Sequence, residues 1–142
     1  MNLIRVMPAK GQDIMQTSIF LAALIGPVML VAAAGMLLNP GGQRATMLAF
    51  LDSPPLIYLS GALAMIAGLA IVLYHNVWAA DWRVIITLFG WAGAIGGAAR
   101  MLSPASVKTV GAAMLNTPWV MTAGGVAWLA IAAVLCFYGY FA

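Results

Sequence analysis

Charge is what this sequence has least of. Only 6% of its 142 residues are charged while 65% are hydrophobic, whereas a soluble domain keeps about a quarter of its residues charged to hold a solvated surface. A water-soluble globular fold is excluded. Acids are scarcest: Asp13, Asp52 and Asp81 are the three carboxylates, and all of them fall outside the long apolar runs. A proton- or cation-coupled carrier keeps an ionisable group facing the bundle interior, so that class loses its usual signature. Neither a paired-carboxylate site, a phosphate-binding loop nor an HExxH helix can be found. Cys136 is the single cysteine, which rules out an intrachain disulfide and a cysteine-built zinc site and leaves it the part of a small buried hydrophobe. The six basic residues are scattered singly, for a net charge of +3. No cluster is dense enough for nucleic acid or for a polybasic lipid switch, so no nucleic-acid partner is expected.

What the chain does have is four apolar runs, over 17–38, 56–77, 84–102 and 119–142. Each comes close to the roughly 20 residues that carry a helix across about 30 Å of hydrocarbon, and little chain is left for a soluble domain. The expected fold is all-α, an integral membrane four-helix bundle. Arg5 and Lys10 precede the first run in the manner of a signal sequence, but the run is longer than the usual apolar region of 7 to 15 residues. It is therefore kept as a span. Pro27 lies inside it and removes one backbone hydrogen bond, at the cost of a modest kink.

Gly26 to Tyr74 lies without a gap over Gly90 to Tyr138 at a shift of 64 residues. Leu38-Asn39-Pro40 meets Leu102-Ser103-Pro104, Leu51-Asp52-Ser53-Pro54 meets Leu115-Asn116-Thr117-Pro118, and Arg44 falls on Lys108. The matches are helix-boundary prolines, caps and one basic residue per copy, which points to a duplication; the bland alternative is that any two membrane hairpins share such marks. Two spans per copy make the repeats parallel, related by a two-fold along the membrane normal, and not the inverted class that builds many transporter sites. Gly41 to Leu51 and its counterpart around Lys108 are mildly amphipathic, which suits short helices in the headgroup layer. Glycine-bearing loops are the alternative.

Small residues mark the contact faces. Ser60, Ala64 and Gly68 follow at four-residue spacing beside Gly61, and the third span carries Gly90, Gly93, Gly96 and Gly97, with Gly93 and Gly97 forming a GxxxG. Such faces let helix backbones approach where lipid removes the ordinary hydrophobic drive. They are read as packing within the chain, self-association or contact with a larger complex. Tyr74, His75, Trp78, Trp82 and Arg83 mark the boundary between the second and third spans, and Arg100 snorkels from the end of the third. Arg5, Lys10 and Arg83 oppose Arg44, Arg100 and Lys108 three against three, so the charge rule fixes no orientation; the first helix often dominates, which favours cytoplasmic termini.

His75 is the only histidine, hence the only side chain with an ordinary pKa near neutrality. A bis-histidine haem within one chain is excluded. No pattern sets a serine or cysteine beside it, so an interfacial histidine bonded to backbone or headgroup is expected, ahead of partner contact and of a weak candidacy as a cofactor ligand. The ten methionines form no repeated M-x-x-M, so soft-metal transport is not supported and they read as packing. No cofactor is predicted, although the aromatics leave room for a lipid, quinone or pigment.

His75-Asn76-Val77-Trp78, followed by Asp81-Trp82-Arg83-Val84-Ile85-Ile86-Thr87-Leu88-Phe89-Gly90-Trp91, resembles small four-span bacterial inner-membrane proteins of undefined function. The resemblance implies a bacterial plasma-membrane location and carries over no activity, substrate or catalytic residue. The expected function is that of a non-enzymatic accessory or scaffold subunit packed against a larger membrane complex, such as an energy-converting one. Its rival is a small homodimeric transporter or channel, with a pathway lined by Trp91, Trp128, Tyr58 and the glycine face of the third span.

Overall fold

The computed structural model describes residues 6–141, so Arg5 and Ala142 lie outside the described residues. Six helices follow in order: α1 Val6–Leu38, α2 Pro40–Leu51, α3 Pro54–Tyr74, α4 Arg83–Leu102, α5 Pro104–Leu115 and α6 Val120–Tyr140. Gly11–Leu38 of α1, together with α3, α4 and α6, is long and apolar enough to cross a membrane. The protein is an all-α, multi-pass membrane bundle.

Proline sets three of the six helix starts. Pro40, Pro54 and Pro104 each stand in the first turn, where the missing N–H has no intrahelical partner to lose and φ is preset. The Asn39 side chain accepts from the Gly42 N–H at 3.0 Å and caps α2. Pro118 behaves differently, lying in a turn ahead of α6. The segments after Pro40 and Pro104 are helices of 12 residues each, not loops. α3 stops at Tyr74 and not near Val77, because His75 leaves the helical region at φ −140° and ψ 79°, and α1 is already helical ahead of Thr17.

Packing is concentrated in two long seams, α1 against α6 and α3 against α4. The two pairs touch each other along a short stretch of α1 and α4, while α2 and α5 cross at the proline-marked face. In the α3/α4 seam a Cβ on Gly68 would stand 2.6 Å from the Gly90 carbonyl oxygen, and one on Gly97 would stand 2.6 Å from the Met65 nitrogen. Backbone meets backbone there. Gly93 faces the Ala64 carbonyl, and Gly61 backs onto Arg100 and Met101. Gly96 has open space beside it. Contacts of this seam recur in the α1/α6 seam at matching positions: Gly90 against Val72 as Gly26 against Cys136, and Gly61 against Met101 as Gly125 against Leu37.

Pro27 lies inside α1 and leaves the Ala23 carbonyl without its helical donor. The Tyr140 hydroxyl donates to that oxygen at 3.0 Å, and Gly139, whose Cβ would run into the Ala23 backbone at 2.7 Å, lets α6 come close enough. A neighbouring helix thus re-satisfies the freed group, as hydrocarbon surroundings demand. Two apolar clusters complete the core. One gathers Ala22, Met29, Ile86, Ala132 and Leu135; the other gathers Leu51, Ile57, Leu115 and Met121 beneath the α2/α5 crossing.

Candidate functional site

Polar side chains that bond across helices gather at two places, one on each membrane face. On the face bearing the start of α1, His75 is fully buried at 1% exposure, which corrects the expected interfacial anchor. Its Nε2 lies 2.7 Å from Ser18 Oγ of α1, and its Nδ1 lies 3.4 Å from Thr87 Oγ1 of α4. Ser18 donates to the Ile14 carbonyl at 2.8 Å and Thr87 to the Val77 carbonyl at 2.9 Å. A hydroxyl thus faces each ring nitrogen, one from α1 and one from α4.

The physical reason is the early end of α3. His75 caps that helix, and its extended backbone swings the ring inward between α1 and α4. Burial holds the imidazole below its ordinary pKa, and the Arg83 charge pushes the same way against a local backbone hydrogen bond and the Asp81 carboxylate. Ser18 and Thr87 are at 0% exposure, so neither oxygen is open to a substrate, and a hydroxyl occupies the Nδ1 side where a nucleophilic dyad would hold an orienting acid. The cluster is a clamp joining α1, α3 and α4. No protein-family model, curated protein or solved structure matches the chain. The site is therefore interpreted on its own geometry.

On the opposite face α2 and α5 grip each other. Arg44 Nε donates to the Leu115 carbonyl at 2.8 Å and Nη2 to Asn116 Oδ1 at 2.7 Å, which satisfies one of the orphan carbonyls at the end of α5. Lys108 of α5 reaches back to Asp52, at the end of α2, over 2.8 Å. Each basic residue binds the C-terminal end of the other helix.

The remaining sequence-marked residues separate by role. Tyr74 and Trp78 are exposed, and Trp78 donates from its indole to Asn76 Oδ1 at 2.7 Å. Trp82 stacks on Tyr138 at a centroid distance of 4.8 Å, joining the start of α4 to the end of α6. Arg83 pairs with Asp81 at 2.6 Å, which holds that carboxyl below its usual range. Arg100 has no ion pair among the described residues. Gly61, Ala64, Gly68, Gly90, Gly93 and Gly97 lie in the α3/α4 seam, whereas Gly96 does not. The glycine face of α4, apart from Gly96, is thus covered by α3. Sequence reasoning gave no role to Ser18 or Thr87; for Thr87 the available signal was a lone hydroxyl within an apolar run.

Proposed function

We propose that this chain is a non-enzymatic accessory or scaffold subunit that packs against a larger membrane complex. One observation carries the reading. The two tightly seamed helix pairs leave an apolar cleft on each side of the short α1/α4 contact, one lined by Phe20, Leu21, Ala70 and Ile71, the other by Ile85, Leu88, Phe89 and Ile131. The cavities measure about 230 and 240 Å³, and their apolar lining suits a large side chain of a partner helix better than a solute path. Support also comes from the cross-helix side-chain hydrogen bonds, which apart from Tyr140 to Ala23 gather at the two faces. Purification in mild detergent with in-membrane crosslinking and mass spectrometry tests it: a stoichiometric partner crosslinked near Phe20 or Leu88 is expected, while a chain that runs alone in several detergents, or one that moves solutes when reconstituted, refutes it.

The same reading places the protein in a bacterial plasma membrane with cytoplasmic termini, on the resemblance around His75 to Trp91 and the weight of the first helix. It also takes the halves 26–74 and 90–138 as parallel repeats. What supports this is the recurrence of seam contacts at a 64-residue shift and the reciprocal Arg44/Asn116 and Lys108/Asp52 grips. Superposition of the halves by a single rotation of about 180° along the membrane normal is the geometric test.

A further inference from the structure

Two cavities adjoin α5 and share Gly111 and Met114 as a common wall. One, of about 500 Å³, lies against the end of α4 and is bounded by Leu102, Val107 and Val110. The other, of about 350 Å³, opens between α1, α2, α5 and α6 over Met36, Met47, Phe50, Met121 and Trp128. The linings are almost wholly apolar. Four thioethers invite a soft-metal reading, yet a space holding on the order of ten water molecules at about 30 Å³ each is far too large for one ion. Its size is that of an organic ligand, and methionine is the side chain that best follows a flexible chain.

Charge at the rim selects among organic ligands. Leu115 lines the second cavity, and its carbonyl is held by Arg44, so the guanidinium lies within hydrogen-bond reach of a residue of the cavity wall. Two of its five N–H groups are committed to Leu115 and Asn116, which leaves three free donors. Arg44, Arg100 and Lys108 face only Asp52 on this side of the protein. A cation is repelled and an anion attracted.

We propose that the α5 groove is a specific seat for an anionic phospholipid, with its acyl chains in the two cavities flanking Gly111 and Met114 and its phosphate on Arg44. Basic pockets between membrane helices recognise anionic headgroups in this way. The site is separate from the side clefts assigned to a protein partner, so either reading survives the failure of the other.

The probe is phosphatidylglycerol brominated on its acyl chains, incorporated at increasing fraction into phosphatidylcholine nanodiscs carrying the full-length protein. Quenching by bromine is read as the difference between the wild type and Trp128→Phe, which isolates the groove tryptophan. Saturable quenching is expected at low phosphatidylglycerol fraction, reversed by unbrominated phosphatidylglycerol and not by phosphatidylcholine. Arg44→Gln should weaken it about fivefold, the effect of one basic residue near an anionic lipid, and Arg44→Lys should restore most of the loss. Gly124 lines the same cavity with nothing within 4 Å of its Cβ position, so Gly124→Leu should fill the groove and abolish Trp128 quenching without touching a charge or the fold. Equal quenching by brominated phosphatidylcholine, displacement by a neutral quinone but not by phosphatidylglycerol, or unchanged quenching in Gly124→Leu overturns the proposal.

Discussion

Replacing Gly68 by alanine tests the α3/α4 seam where the backbones are closest. The new Cβ would lie 2.6 Å from the Gly90 oxygen and 2.7 Å from the Gly93 carbonyl carbon. Both obstacles are main chain, so no rotamer change relieves them, and the helices must separate by roughly an ångström to reach ordinary contact. A gap of 0.5–1 Å forfeits about a quarter to a half of each facing dispersion contact, and overpacking a tight core costs about 1–3 kcal/mol. Alanine returns about 1 kcal/mol through helix propensity, so the net loss should be about 0–2 kcal/mol. Gly96→Ala, one helix face away with open space around it, keeps the propensity gain alone and should be neutral or stabilising by up to about 1 kcal/mol. Denaturation by titrated SDS in mixed micelles, followed by loss of the Trp82–Tyr138 near-ultraviolet signal, measures both. If the two variants stabilise alike, the seam is looser than described and the argument from close backbones is wrong.

Three further outcomes are expected. Since burial lowers the His75 pKa, protonation favours the unfolded chain; stability should be full above about pH 6.5 and decline as pH falls below it, and His75→Gln should flatten that slope in thermal melts between pH 7 and 5. Tyr140→Phe removes the donor to the Ala23 carbonyl and should cost about 0.6–1.7 kcal/mol, the range for hydrogen bonds between membrane helices, while Tyr140→Phe combined with Pro27→Ala should recover that loss because the helix then supplies its own donor. Arg44→Met should cost about 1–2 kcal/mol, since it strips a part-buried helix-end carbonyl of a charged donor, whereas Lys108→Met breaks an exposed pair and should change stability by no more than about 0.5 kcal/mol; the same SDS titration separates them.

Spans and helix starts were legible because each depends on local chemistry. Twenty apolar residues have few alternatives in lipid, and proline in a first turn marks its own position. The reach of His75 was not legible, because Ser18 lies 57 residues away in sequence and nothing in either segment names the other. Once α3 is seen to end at Tyr74, the ring can turn inward, and hydroxyls in the first halves of α1 and α4 become its partners. The glycine faces were readable as close-packing surfaces, but whether they pack within the chain or against a partner depends on which helices adjoin. That is a tertiary fact.

On the proposed repeat, the two polar clusters account for where the halves differ. At the proline-marked face each half supplies one cation and one acceptor, so the grip of α2 on α5 can be reciprocal. At the other face the position that matches His75 is Gly139, and the position that matches Thr87 is Ala23. Both pairs are in contact across the halves, the His75 ring against the Thr87 hydroxyl and Gly139 against the Ala23 backbone. The α3/α4 seam uses the place for a buried polar clamp reaching α1, while the α1/α6 seam clears it so that Tyr140 can repair the break made by Pro27. A proline that both halves carried would need two such repairs, but Trp91 stands where the second would be. The glycine is thus tied to Pro27 and the histidine to Ser18, so exchanging the two residues, His75→Gly with Gly139→His, should destabilise more than either change alone.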